Sequence, residues 1–402
     1  MTEDQATLIA PFSCRNVTVH FIYSFAYSRE GEQLPDWTSG TPHPERGVIF
    51  PHLALKQEGA AWKRAREIDA VVQNSEISIR TSLGALTRVF PTGGTCTLKV
   101  QTKDDPQRRF KPKDVLALLN MVKQRFDSSP DSILRVDGDE ESCNLYSRFL
   151  RSLGESSAPF ITWLDRKHQL VDTDSESQSP WVVTVAEVDG DVASAFCGGA
   201  DAGDDPARSK MLRLRRYEED IAPILFRSVT DTLFLEPAYV QPPTSVGVPG
   251  LFSVNLDARL FVSMSRRAIL CICRDAKQDP AAYFIPGLLD ICELVRARWH
   301  ALIILNKLLD LTIRDIASRK GTRQMRQTNL MERRQALATC LEDPTLYIVA
   351  GDALSKLYSD LRDIFRLEDL KSTLLAKMDL ADKVLSDAQE LDWMEKRGLG
   401  DS

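Results

Sequence analysis

Arg319, Lys320, Arg323, Arg326, Arg333 and Arg334 form the most asymmetric charged stretch of the chain, with Glu332 the only acid among them. Cations gathered on a helix–turn–helix connection suit two chemistries, gripping a phosphate backbone or docking on an acidic protein surface. A third reading needs no partner, because cations beside a helix C-terminus offset the helix dipole at a solvated hairpin tip. A smaller set, Arg208, Lys210, Arg213, Arg215 and Arg216, follows an acidic stretch and neutralises it.

The other reactive residue types are scattered. The five histidines (His20, His43, His52, His168, His300) form no HxxxH or HxH cluster, and His300, beside Trp299 on an apolar segment, reads as an interior or boundary residue. Cys271 and Cys273 alternate, which places two small residues on one strand face instead of forming a metal clip. Acidic groups at 137–141, at Asp172, Asp174 and Glu176, and at Asp201, Asp204 and Asp205 lack the spacing of a calcium loop and read as solvated loops. There is no GxxxxGK[ST], no GxGxxG opening a helix and no GxSxG, and Gly93-Gly94 reads as a turn between strands. No catalytic residue, metal ligand or cofactor is therefore assigned, although a nucleophile and base far apart in sequence would escape such motifs.

Global properties narrow the classes further. The net charge of −6 over 402 residues opposes whole-surface binding to nucleic acid, so any such contact is a local patch. Eight cysteines without a CxxC pair read as buried thiols in a reducing compartment. The opening residues MTEDQATLIAPF lack the basic start and apolar core of a secretion signal. The most apolar helix, Trp299 to Ile313, is interrupted by Asn306, Lys307 and Asp310, short of the roughly 18 apolar residues of a membrane span. A soluble, cytoplasmic protein without a membrane span is expected.

The elements that would position these residues divide the chain into an α+β region, 1–278, and a long-helix region, 279–402. Strands are expected at Val17–Tyr27, Val48–Leu55, Glu76–Arg80, Thr87–Phe90, Cys96–Val100, Ile133–Val136, Phe160–Leu164, Trp181–Val188, Val192–Phe196, Leu260–Met264 and Ala268–Arg274. Asp189-Gly190-Asp191 reads as a short hairpin turn, and 198–208 as an acidic, Gly-rich linker. Short helices are expected from Pro112, at Asn144–Leu153 and at Tyr217–Ser228, and the chain is Pro-rich from Pro237 to Pro249.

Beyond Arg274 only helical periodicity remains. Asp279-Pro280 starts a helix of about 60 Å that ends at Lys320 with Gly321 as its cap, and Pro286 falls where it can kink the first turns. A second helix covers Thr322–Leu341. The span from Pro344 to Lys396 reads as one helix on the order of 75–80 Å. Its apolar residues, Leu354, Leu357, Leu361, Ile364, Leu367, Leu370, Leu374, Met378, Ala381, Leu385 and Ala388, step by three and four, the mark of a helix packed lengthwise on others. The companion is either the helix after Pro280, folded back on it, or a second chain.

This order resembles the cytoplasmic part of the CorA-type metal-ion transporter family. The residues that carry the likeness are LFVSMSRRAILCICRDA (260–276), ELVRARWHALIILNKLLDL (293–311) and LRDIFRLEDLKSTLLAKMDLADKVL (361–385). That family's last long helix continues into a membrane span with a Gly-Met-Asn signature, which this sequence lacks. The resemblance therefore implies a soluble relative or a similar helical scaffold reused for binding, not ion conduction.

The expected function is a non-catalytic interaction or regulatory scaffold whose long helices bind a partner protein or a second copy. The alternative is a nucleic-acid effector or an enzyme without a recognised motif, using a cleft between sheet and helices.

Overall fold

Strand β1 (Cys14–Phe25) shows how the central sheet is built. Side chains alternate along a strand, so Val17, Val19 and Phe21 point to one face and His20, Ile22 and Ser24 to the other. All six are buried, so both faces of the sheet are covered at this point.

The computed structural model describes residues 11–25, 61–74, 78–90, 93–103, 108–123, 132–136, 180–190, 192–193, 224, 252–256, 260–265, 268–278, 281–341 and 352–397. The remaining strands are β2 (Ala61–Asn74), β3 (Ser78–Phe90), β4 (Gly93–Thr102), β5 (Ser132–Val136), β6 (Trp181–Val188), β7 (Phe252–Leu256), β8 (Leu260–Met264) and β9 (Ala268–Cys273). They form one nine-stranded sheet in the order β5-β2-β3-β4-β1-β6-β9-β8-β7. Every neighbouring pair is antiparallel except β6 and β9, which run parallel. Among the described residues the helices are α1 (Pro112–Lys123), α2 (Ala281–Ala317), α3 (Arg323–Leu341), α4 (Asp352–Ile364) and α5 (Leu367–Lys396). The chain is thus α+β, with its long helices at the C-terminal end.

Several expectations are met. β3 and β4 form the hairpin, but Gly93 and Gly94, expected in its turn, belong to β4, with Phe90 opposite Gly93. α1 begins at Pro112 and buries Val115, Leu118 and Leu119. β8 and β9 pair antiparallel, as their flanking of Ser265-Arg266-Arg267 suggested.

Others are corrected. Glu76–Arg80 and Thr87–Phe90 are not separate strands; Ser78–Phe90 is one element of 13 residues. Gly190, Val192 and Ala193 are helical where Val192–Phe196 was expected to be a strand: Ala193 N–H donates to Asp189 O at 2.8 Å, an i+4 bond, while the Asp189 carboxylate pairs with Arg109 at 2.9 Å. Asp189 therefore starts a helical turn where a hairpin was expected. β2 and β7 lie outside the expected strands, and the pairing of β2 with β3 shifts register between Ala65 and Ile68, which breaks the two-residue alternation. The expected elements at Val48–Leu55, Asn144–Leu153 and Phe160–Leu164, the linker 198–208, the Pro-rich stretch and Tyr217–Ser228, apart from helical Ile224, lie outside the described residues.

α2 is the axis of the helical layer. At 37 residues it is about 55 Å long and continues through Pro286. Every residue from Gly287 to Leu302 is buried, as befits a helix covered on all sides. One side meets β1 and β4 and the other meets α3, α4 and α5. One continuous core joins Ile22, Trp181, Val183 and Cys271 of the sheet to Leu288, Val295 and Leu302 of α2 and to Leu357, Leu361 and Leu374 of α4 and α5.

α2 ends two residues earlier than its glycine suggests. Lys320 N–H bonds to Asp315 O and Arg319 N–H to Ile316 O, which closes the helix with Arg319 in the left-handed position. Arg319 has φ 51°, and Gly321, the expected cap, follows at φ 77°.

The expected single rod from Pro344 to Lys396 is broken at Phe365-Arg366. Arg366 has φ 51° and ψ 43°, a left-handed geometry through which no α-helix runs, so α4 stops and α5 restarts at Leu367 with a length of about 45 Å. Replacing Arg366 with glycine removes the steric cost of this conformation, and its ion pair with Asp369 is exposed and worth little. Arg366→Gly is expected to stabilise the chain by about 0.5–1 kcal/mol, read as a higher denaturant midpoint with an unchanged slope. A loss of stability would mean that the arginine side chain, not the backbone break, holds this junction.

Consecutive long helices alternate in direction. Arg298 of α2 reaches Cys340 near the end of α3, while the α2 and α3 ends flanking 318–322 adjoin, so these two helices are antiparallel. Arg326 and Arg334 of α3 meet Asp392 and Asp382 of α5, again antiparallel. Asp310 meets Lys377, and Arg319 meets Glu395, so α2 and α5 lie side by side in the same direction, with α3 as the return leg. Among the described residues no helix is long and apolar enough to cross a membrane.

Candidate functional site

The apolar stripe forms because α4 and α5 repeat leucines at three- and four-residue steps. Leu354, Leu357, Leu361, Leu367 and Leu374 are buried, and Ile364, Leu370 and Leu385 are partly buried against the same core. Each fully buried leucine contributes about 1.5–3 kcal/mol relative to exposure. The companion that hides this stripe is α2, with α3, in the same chain.

The basic stretch is placed at the α2–α3 tip and along α3, facing the C-terminal half of α5. Arg326, 4% exposed, donates to Asp392 at 2.5 Å. Arg319 donates to Glu395 at 2.5 Å and lies 3.7 Å from Asp392. The hydrogen bond and then the charge of Glu395 raise the Arg319 guanidinium above its ordinary value. Arg323 donates to Gln389 at 3.2 Å, and Arg334 pairs with Asp382. Lys320 is solvated, 3.8 Å from Asp315, and the Arg333 Nε is buried with no hydrogen-bond acceptor among the described residues. Four of the six cations thus zip α5 to the tip and to α3, a use that the periodicity of α3 alone does not reveal.

A second polar set lies inside the fold. Asp290, Glu293, Arg296, Arg298 and His300, all on α2, are each buried. Glu293 faces the sheet, where Thr97 of β4 donates to its Oε1 at 2.5 Å. Arg296 lies over the Trp299 ring, 4.4 Å from its centroid. Arg298 turns the other way, donating to Cys340 O at 3.0 Å and to the Tyr358 hydroxyl at 2.9 Å. The signal for this set was present as five ionisable residues inside the most apolar helix, and His300 is interior as its setting suggested.

Thiol and metal chemistry gain no support here. Cys271 and Cys273 sit in the core on one face of β9, and burial, then the Cys273 charge, raises Cys271 well above its ordinary value. Cys14 is likewise raised by burial, with smaller contributions from Cys273 and Asp114, so these thiols are protonated packing groups. Among the described residues no three His, Cys, Asp or Glu side chains gather as a metal site. The arrangement is therefore one of internal charge pairing around a helical layer, and what it can do chemically is hold or exchange charged surfaces. No family model, curated protein or solved structure matches this chain.

Proposed function

We propose that this protein is a non-catalytic interaction or regulatory scaffold whose C-terminal helical layer engages a partner chain. One observation carries this reading: the lengthwise stripe of α4 and α5 is spent within the chain, yet α5 still holds Leu380 and Leu391 49% and 46% exposed. Eleven residues separate them, three helical turns, so they share one outer ridge. Two exposed leucines flanking the exposed Lys383 and Asp387 on the outside of a long, regular helix suit a second amphipathic helix laid against them. The sheet followed by long helices is also the order on which the CorA-type resemblance rests, and the same order serves a binding scaffold. The nucleic-acid alternative draws less support, because Arg319, Arg326 and Arg334 already face carboxylates of α5.

Light scattering over a concentration series and purification with bound chains test the proposal. Wild type is expected to self-associate or to retain a partner that the Leu380→Glu/Leu391→Glu variant loses. A monomer at every concentration with nothing bound would remove the reading.

A further inference from the structure

Burial along α5 is uneven. Leu367, Leu374, Met378, Ala381 and Ala388 are buried, whereas no residue from Gln389 to Glu395 is. Those last turns are held to the α2–α3 tip by polar contacts instead, Arg323 to Gln389, Arg326 to Asp392 and Arg319 to Glu395. Gln389, Asp392 and Glu395 follow one another at three-residue steps and so lie along one helix ridge. Three guanidinium groups at the tip therefore grip one ridge of an acidic helix. Arg319 does so from a left-handed backbone position, φ 51°, where glycine is the unstrained residue. Strain kept at a residue whose side chain makes the contact points to a role for that side chain.

We propose that Arg319, Arg323 and Arg326 form a binding surface for an acidic helical segment of a partner protein, and that the Gln389–Glu395 end of α5 is its built-in competitor. This rests on the scaffold reading and names its surface, partner class and regulation. Polar and acidic groups stepped along a helix ridge match the three guanidinium groups, as α5 itself demonstrates. The Arg319–Glu395 pair and the Arg323–Gln389 bond are exposed, so they exchange readily and weaken with salt, and the Arg326–Asp392 pair alone is held by a buried group. The end of α5 is accordingly the releasable part of a helix whose earlier turns are held by apolar burial.

The test uses the full chain carrying Asp392→Asn with Glu395→Gln, which weakens the competitor without emptying an apolar site. The probe is a synthetic peptide of residues 382–397 added at low salt. The variant is expected to bind it about tenfold more tightly than wild type, because a larger fraction of tips is open. Adding Arg319→Glu and Arg323→Glu should abolish that binding. Amide exchange across Gln389–Glu395 is expected to accelerate in the variant, and in wild type at about 1 M salt, where the screening length is about 3 Å, with Leu367–Ala388 unchanged. The proposal is overturned by equal peptide binding to variant and wild type, by no binding to either, by binding that survives the Arg→Glu changes, or by a DNA duplex binding in the peptide's place. If the Leu380→Glu/Leu391→Glu variant loses its partner while the tip variants leave peptide binding unmoved, the scaffold reading stands and the tip proposal alone fails.

Discussion

Replacing Phe365 with alanine is expected to destabilise the chain by about 3–5 kcal/mol, the range for removing a fully buried phenylalanine. The ring lies 2% exposed at the junction of α4 and α5. It meets Trp181 of β6 edge-on, with centroids 4.9 Å apart and planes at 88°, and Trp299 of α2 at 5.6 Å and 58°. One side chain thus ties the sheet, the central helix and the helical break together. The edge-on geometry adds about 0.5–1.5 kcal/mol to the area buried, because the positive ring edge faces the negative face of its neighbour. Chemical denaturation checks this through a lower midpoint at unchanged slope, whereas a changed slope would report a loosened native or denatured state. Phe365→Leu keeps most of the volume and should cost less, about 1–2 kcal/mol. A Phe365→Ala change within about 0.5 kcal/mol of wild type would mean that the left-handed residue after it, not the aromatic cluster, fixes the break.

This junction also marks how far the sequence could be read. The three-four spacing of Leu354 to Ala388 reveals a buried face, and its length reveals the need for a lengthwise companion, and both hold. The break does not announce itself, because neither glycine nor proline occupies it: Arg366 adopts the left-handed conformation, and periodicity carries no record of that. Arg319 escapes for the same reason, having taken the cap position two residues before the glycine expected there. β8 and β9 were legible because LFVSM and AILCIC are buried at every position. β2 was not, since its WKRAREID stretch mixes charge into an irregular register. For the candidate surface, residue type was visible and partner was not: Asp392 and Glu395 lie 66 and 76 residues from Arg326 and Arg319, and nothing local links them.

Substituting methionine for Arg298 is expected to cost about 3 kcal/mol, for reasons that lie on the acceptor side of its bonds. Cys340 O is one of the last carbonyls of α3, which have no partner within their own helix, and the Arg298 guanidinium stands at the negative end of that helix dipole. The same group bonds to the hydroxyl of Tyr358, which is 1% exposed. Methionine fills the space and relieves the burial of a charge, yet it strips the α3 carbonyl of its guanidinium donor and removes one hydrogen bond from the Tyr358 hydroxyl, and the loss at the carbonyl is the larger effect. Lysine should not rescue, because one ammonium cannot reproduce the fork that reaches both acceptors. Tyr358→Phe removes only the hydroxyl bond and is expected to cost about 1 kcal/mol, so a double-mutant cycle separates the helix-capping contribution from the hydroxyl contribution. Cys340 supplies an independent readout: burial pushes its thiol up to about 11, and the Arg298 charge pulls it partly back. With that charge gone the thiol should titrate still higher and react more slowly with an alkylating reagent in the native state. A methionine variant as stable as wild type, with Cys340 reactivity unchanged, would show that the guanidinium caps nothing and that apolar packing alone joins α2 to α3 and α4.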